Sequence, residues 1–194
     1  MILILWTIFG YLLGSVPFGL VIARALGLGD LRSIGSGNIG ATNVLRTGNK
    51  PAALATLLLD SGKGAIAVLV ARQFGGEGAA VLAGGAAFLG HCFPVWLGFK
   101  GGKGVAPFLG TLIALHWPLG LIACAIWLLT ALISRISSLS ALLAAALSPV
   151  FAWGLGRPDL IAVSLFMAVL ILVRHRANIA RLLDGSEPRI GKKG

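Results

Sequence analysis

Residues 104–134 read GVAPFLGTLIALHWPLGLIACAIWLLTALIS, thirty-one consecutive positions without Asp, Glu, Lys or Arg. As one helix this run would be about 46 Å long, well past the ~30 Å hydrocarbon core of a bilayer. His116-Trp117-Pro118 sits near its middle. A proline there removes a helix hydrogen bond and favours a break just before it. The run therefore reads as two short helices joined by a tight turn.

The same reading extends outward along the chain. Positions 2–23 and 78–99 are uncharged runs of 22 residues, and 136–156 adds 21 more. Residues 160–173 are shorter, with Pro158 placed to start a helix. Residues 51–71 are apolar apart from Asp60 and Lys63. The chain has 194 residues, 57% of them hydrophobic and 11% charged. That balance excludes a disordered chain, a secreted disulfide scaffold and a soluble enzyme. The expected fold class is an all-α integral membrane protein, one domain over 1–194. It is a polytopic bundle of about seven transmembrane helices, several of them short. Residues 184–194 read as a frayed basic tail.

Charge placement tests the count. The net charge is +10, with sixteen Lys and Arg against six acids. With the N-terminus outside, thirteen cations fall on the inner side: Arg24, Arg32, Arg46, Lys50, Lys100, Lys103, Arg135, Arg174, Arg176, Arg181, Arg189, Lys192 and Lys193. Arg72 and Arg157 fall outside and Lys63 within a span. This satisfies the positive-inside rule and puts the C-terminus in the cytoplasm. Reading 104–134 as a single span would force one of the largest basic clusters outside. A five-span arrangement with two re-entrant helices keeps the same parity and stays open.

Three inner motifs carry chemistry. The first is GSGNIGATNVLR at 35–46. Gly35, Gly37 and Gly40 match GxGxxG, but between membrane spans rather than in a βαβ unit, so a dinucleotide fold is excluded. Small residues bring backbone close to a ligand, and exposed N–H groups cradle an anion. Ser36, Asn38, Thr42 and Asn43 add side-chain donors, and Arg46 adds a fork suited to phosphate. The second motif, Asp60-Ser61-Gly62-Lys63-Gly64, puts an acid and a cation three apart inside a span. It reads either as a structural ion pair or as a cation held at the edge of a site. The third, Lys100-Gly101-Gly102-Lys103-Gly104, places two ammonium groups on backbone able to fold around an anion. In the tail, His175, Asn178 and Arg181 share a helical face. Cys92 and Cys124 lie in apolar runs with no ligand-like spacing and read as small hydrophobic side chains. No metal site is expected.

GSGNIGATNVLR at 35–46 and FKGGKGVA at 99–106, together with Gly14-Ser15-Val16-Pro17 and Glu187 at either end, resemble the bacterial membrane acyl-phosphate:glycerol-3-phosphate acyltransferases, the PlsY family. One departure is Pro107, where that family usually has threonine. The resemblance implies transfer of a fatty acyl group from acyl phosphate to the 1-hydroxyl of glycerol 3-phosphate, the first acylation of bacterial phospholipid synthesis. It implies no cofactor, a site facing the cytoplasm at the inner membrane, and transient contact with the soluble enzyme that makes acyl phosphate. Membrane lipids are the other partner, and nucleic acid is not one. Ser36, Asn38 and His175 are then the expected catalytic residues. Gly35, Ser36, Gly37, Asn38, Gly40, Thr42 and Asn43 are expected on acyl phosphate. Arg46, Lys63, Lys100, Lys103, Asn178 and Arg181 are expected on glycerol 3-phosphate. The His-x-x-x-x-Asp pair of thioester-dependent acyltransferases is absent: Trp96, Leu121 and Ala180 follow the three histidines. A transporter of an organic phosphate needs the same cations, but no inverted repeat is visible.

Overall fold

The structure, a computed structural model, describes residues 1–191. Among them there is no strand. Helix α1 (Ile2–Gly14) ends at Ser15-Val16-Pro17, and α2 (Phe18–Ala25) continues beyond the break. Pro17 has no N–H and biases Val16 out of helical geometry, so the apolar run expected over 2–23 is interrupted. A 3-10 turn at Leu31–Ser33, capped by the Asp30 carboxylate, leads to the short α3 (Ala41–Leu45).

Helix α4 (Lys50–Cys92) is capped by Asn49, whose Oδ1 accepts from the Ala52 N–H at 3.0 Å. Its 43 residues would span about 65 Å if straight. They do not run straight, because Gly76 sits at φ 81°, ψ −176° and folds the chain back on itself. A Cβ on Gly84 would lie 2.7 Å from the Val68 side chain, and Lys63 reaches His91. The two halves are thus an antiparallel pair. Arg72 closes the bend on Glu77 at 2.7 Å and donates to the carbonyls of Ala114 (2.6 Å) and Leu115 (3.0 Å). Those carbonyls end α5 (Val105–Leu115), so the arginine also caps a helix C-terminus.

The expected break in the 104–134 run is present. His116 is extended (φ −155°, ψ 102°), and α6 (Trp117–Ser134) begins with Pro118 in its first turn. Then follow α7 (Ser137–Gly154), a 3-10 turn at Pro158–Leu160, α8 (Ile161–Arg174) and α9 (Arg176–Leu183). The last two helices are bent by 63°. Four helical stretches are long and apolar enough to cross a membrane: Ile2–Ala25, Lys50–Leu97, Trp117–Ser134 and Ser137–Gly154. The bent pair makes a fifth if taken as one span.

Glycine and alanine set the packing. A Cβ on Gly10 would lie 2.2 Å from the Ala83 carbonyl oxygen, and one on Gly14 2.0 Å from that of Ala87. Helix α1 therefore lies backbone to backbone on the second half of α4, beside an alanine cluster drawn from both halves: Ala67 and Ala71 from the first, Ala79, Ala83 and Ala87 from the second. Gly110 brings α5 equally close to the Ser61 carbonyl. The larger core, with Phe88, Phe108, Leu112, Leu119, Met167 and Ile171, fills the space between α4, α5, α6 and α8. Cys92 and Cys124 are free thiols.

The tail departs from expectation. The Glu187 N–H donates to the Arg181 carbonyl at 3.0 Å, and the Ile190 N–H to the Arg135 carbonyl at 2.6 Å. Residues 184–191 are therefore tied to the helices rather than frayed, while Lys192 and Lys193 lie outside the described residues. The seam predicts an asymmetry between glycines. Gly14→Ala forces α1 off α4 and destabilises by about 1–3 kcal/mol. Gly154→Ala meets no atom within 4 Å and leaves stability unchanged or raised. Thermal unfolding of the two variants in detergent checks this.

Candidate anion site at one end of the bundle

The first glycine loop and the Lys-Gly-Gly-Lys loop meet at one end of the helices. Gly35 (φ 51°) and Gly37 (φ 65°) adopt left-handed backbone, which lets the loop turn sharply before α3. A Cβ on Gly35 would lie 2.2 Å from Arg46 Nη1, so this glycine makes room for the guanidinium. Asn43 is buried and works inward: its Nδ2 donates to the Leu31 carbonyl at 2.7 Å, and its Oδ1 lies 3.5 Å from Arg46 Nη1. It holds the loop rather than facing a ligand. Thr42 Oγ1 is 3.4 Å from Ser137 Oγ at the start of α7. Among the described residues, the side chains of Ser36 and Asn38 and the N–H groups of Gly35, Ser36 and Asn38 make no hydrogen bond. Those are the donors free for an anion.

Residues 98–104 are stitched down from two sides. The Gly101 and Gly102 N–H groups donate to the carbonyls of Cys92 (3.2 Å) and His91 (3.0 Å) at the end of α4. The Arg174 guanidinium donates to the carbonyls of Gly101 (2.7 Å) and Gly102 (3.1 Å) and lies over the Phe93 ring at 5.3 Å. Arg32 Nη2 donates to the Lys100 carbonyl at 3.2 Å. A Cβ on Gly102 would lie 2.1 Å from His91 Nε2. These two glycines serve close packing against α4, not a wrap around an anion.

Lys103 points to the other face of this loop. Its ammonium donates to Asn178 Oδ1, and Asn178 Nδ2 donates to Glu187 Oε1 at 2.5 Å. Ser138 Oγ donates to the same oxygen at 2.7 Å, and Arg181 Nε to Glu187 Oε2 at 2.7 Å. Burial would raise the Glu187 carboxyl, but these hydrogen bonds and the Arg181 charge hold it below its ordinary value. Burial draws the Lys103 ammonium down to about 8; Glu187 opposes the fall, while Arg181, Arg174 and Arg46 add to it. Lys103, Asn178 and Arg181 thus form one group around Glu187, and the Arg46 charge acts on Lys103. His175 is buried beside it, and its Nδ1 donates to the Ile171 carbonyl at 2.8 Å. That bond fixes the tautomer and leaves the Nε2 lone pair as an acceptor.

Beyond Asn43, two placements differ from expectation. Lys63 does not join the group. Its ammonium donates to Asp60 Oδ1 (2.8 Å), the Val16 carbonyl (2.8 Å) and His91 Nδ1 (2.9 Å), which uses all three of its protons. It is a structural cation, and the expectation that it holds glycerol 3-phosphate is corrected. Lys100 lines a separate cavity of about 280 Å³ with Arg32, Gly37, Ile39, Gly101 and Arg174. Sequence reasoning left Arg32, Arg174, Ser138 and Glu187 out of the site. An acid amid the cations of a basic tail was the available signal for Glu187; Arg32 and Arg174 carried none.

A family described as glycerol-3-phosphate acyltransferase matches residues 4–185. A glycerol-3-phosphate acyltransferase of Dinoroseobacter shibae is 69% identical over 94% of this chain and 90% of its own length. One of Cereibacter sphaeroides is 69% identical over 98% of this chain and 91% of its own. The crystal structure of PlsY, an integral membrane glycerol 3-phosphate acyltransferase, in its glycerol 3-phosphate form superposes with a TM-score of 0.92. It is 41% identical and covers 97% of this chain and 96% of its own. The lysophosphatidic acid form gives 0.88 at 38% identity, covering 97% of this chain and 95% of its own.

Glu187→Ala removes the acceptor shared by Ser138, Asn178 and Arg181. Tryptic cleavage after Arg189 is expected to accelerate about tenfold or more as the tail loosens. Limited proteolysis of the folded protein in detergent measures it, and an unchanged rate would show the tail held by other contacts.

Proposed function

The chain belongs to the glycerol-3-phosphate acyltransferase family, and on that premise we propose that it moves a fatty acyl group from acyl phosphate to the 1-hydroxyl of sn-glycerol 3-phosphate. The products are 1-acyl-glycerol 3-phosphate and inorganic phosphate. The observation that carries this reading is the gathering of Arg46, Lys103, Asn178 and Arg181 beside a glycine loop with free donors, at the end of an apolar bundle. Both substrates bring phosphate, and one brings an alkyl chain that suits the bilayer.

Arg46, Lys103, Asn178 and Arg181 hold glycerol 3-phosphate. The 35–43 loop receives the donor, with Ser36, Asn38 and the N–H groups of Gly35 and Ser36 facing the oxyanion that develops on the acyl carbonyl. His175 Nε2 orients the attacking hydroxyl. The hydroxyl oxygen bonds to the acyl carbon while the bond from that carbon to the phosphate oxygen breaks. The departing phosphate takes the hydroxyl proton, so the mixed anhydride needs no strong external base. No metal takes part.

Seven crossings accommodate the helices. The α1–α2 stretch, the two halves of α4, then α5, α6, α7 and α8 each make one, with α5 short at about 16 Å. An outside N-terminus and a cytoplasmic C-terminus put the glycine loops on the cytoplasmic face of the inner membrane, where a soluble enzyme delivers acyl phosphate.

Purified protein in detergent should release phosphate only when acyl phosphate and glycerol 3-phosphate are both present, with or without EDTA. Retained binding without release would overturn the reading in favour of an organic-phosphate transporter. A pH series adds a second check. Lys103 is charged below about 8 and neutral above it, so kcat/KM for glycerol 3-phosphate falls as pH rises through that value. In Lys103→Arg the cation persists and the fall moves to higher pH.

A further inference from the structure

His91 is a buried titratable side chain that the transfer chemistry does not use. It is 5% exposed and lies in the last turn of α4. Its Nδ1 accepts from the Lys63 ammonium at 2.9 Å, which leaves the ring proton on Nε2. Lys63 is itself held by Asp60 Oδ1 at 2.8 Å, and the same oxygen lies 3.6 Å from His91 Nδ1. One edge of the imidazole is therefore fixed by an ion pair inside the bundle.

The other edge faces the Lys-Gly-Gly-Lys loop. A Cβ on Gly102 would lie 2.1 Å from His91 Nε2 and 2.9 Å from both Cδ2 and Cε1. The Gly102 backbone thus rests on the edge of the ring, closer than a residue with a side chain could come. On the far side of Lys103, a Cβ on Gly104 would lie 2.2 Å from the Phe88 ring and 3.0 Å from Cys92 Sγ. Gly104 is left-handed (φ 84°), and its carbonyl accepts the Phe108 N–H at 2.8 Å in the first turn of α5. Lys103 therefore stands between two glycines that are each seated on buried side chains of α4, while its own ammonium reaches Asn178. A binding group has to be placed within about 0.5 Å to make its contacts, and that precision comes from what is packed behind it.

We propose that His91 is a positioning residue for the acceptor cation: the imidazole, braced by Lys63, is the surface on which Gly102 rests, and it sets where the Lys103 ammonium stands relative to Asn178 and Arg181. The proposal deepens the acyltransferase reading and rests on it, since it needs Lys103 to hold glycerol 3-phosphate. It gives the Asp60–Lys63–His91 cluster a second task besides joining helices. His91 acts through Lys103 rather than on substrate.

His91→Asn separates the two tasks. An asparagine Oδ1 reaches the place of the imidazole Nδ1 and accepts from Lys63, but nothing replaces the Nε2 edge beneath Gly102. The backbone carbonyl of residue 91 still accepts the Gly102 N–H. An unfolding temperature in detergent close to the parent's establishes that the bundle is intact. The KM for glycerol 3-phosphate should rise about tenfold, and the KM for acyl phosphate should change less than about twofold. The alkaline fall of kcat/KM for glycerol 3-phosphate should also move to higher pH. Burial is what draws Lys103 down to about 8, and the charges that face it, Glu187, Arg181, Arg174 and Arg46, are unchanged in the variant. Water admitted by the loosened loop returns the ammonium toward its ordinary value. Gly102→Ala is the converse variant. It leaves Asp60, Lys63 and His91 in place and drives a methyl group against the ring, so the same KM should rise. In the double variant the smaller asparagine gives that methyl room, and the KM should fall below that of Gly102→Ala alone. An unchanged acceptor KM and pH profile in His91→Asn overturn the proposal, whether or not the unfolding temperature drops. A double variant impaired by the product of the two single effects overturns it as well. If His91→Asn does not fold, Gly102→Ala decides, and an acceptor KM within about twofold of the parent's overturns the proposal. If the parent protein itself releases no phosphate from the two substrates, the acyltransferase reading fails and the positioning role falls with it.

Discussion

One buried ammonium holds the architecture together. Lys63 is 2% exposed and sits inside the apolar bundle, where an unmatched charge is costly. It persists because each of its three protons meets an acceptor: Asp60, His91 and the Val16 carbonyl. The last of these exists because Pro17 breaks the first helix and leaves the Val16 carbonyl outside the helical ladder, with the Phe18 N–H at 3.2 Å as its other partner. Break, acid and imidazole are thus mutually dependent, and they tie the α1–α2 junction to both halves of the folded α4. The loop 98–104 hangs from the same point, since its Gly102 N–H is held by the carbonyl of His91.

From there the candidate site is assembled by contacts between side chains and backbone. Arg32 and Arg174 spend part of their hydrogen-bonding capacity on carbonyls of residues 100–102, and Glu187 gathers Ser138, Asn178 and Arg181. Such bonds fix the donors before any ligand arrives, so less reorganisation is required on binding. These two arginines are in part the scaffold on which the other polar groups sit.

The helical passes were legible because bilayer thickness and charge constrain them directly. The 104–134 run was too long to be one span and broke at His116 beside the Trp117-Pro118 pair that signalled it. Arg72 and Glu77 marked the bend that Gly76 makes. The glycine loops stood out from residue type alone, and Lys103, Asn178 and Arg181 do gather around Glu187. What sequence did not disclose depends on partners far along the chain. Arg174 acts 72 residues from Gly102, and Arg32 acts 68 residues from Lys100. Lys63 looked like a site cation because a charge in a span usually is one; its partners Val16 and His91 lie 47 and 28 residues away. Glu187 was read as part of a loose end because nothing local revealed that three polar side chains converge on it.

The docking of residues 184–190 has a consequence for biogenesis. A membrane chain is made from its N-terminal end, so the 35–46 loop exists before the later helices have been made. The group around Lys103 waits for α9 and for Glu187, which follow every span in the chain. That group therefore closes only after every helix of the bundle has been made. A partly translated chain has the greasy helices and the glycine loops but not the carboxylate that organises them, and assembly of the site itself reports that insertion is finished.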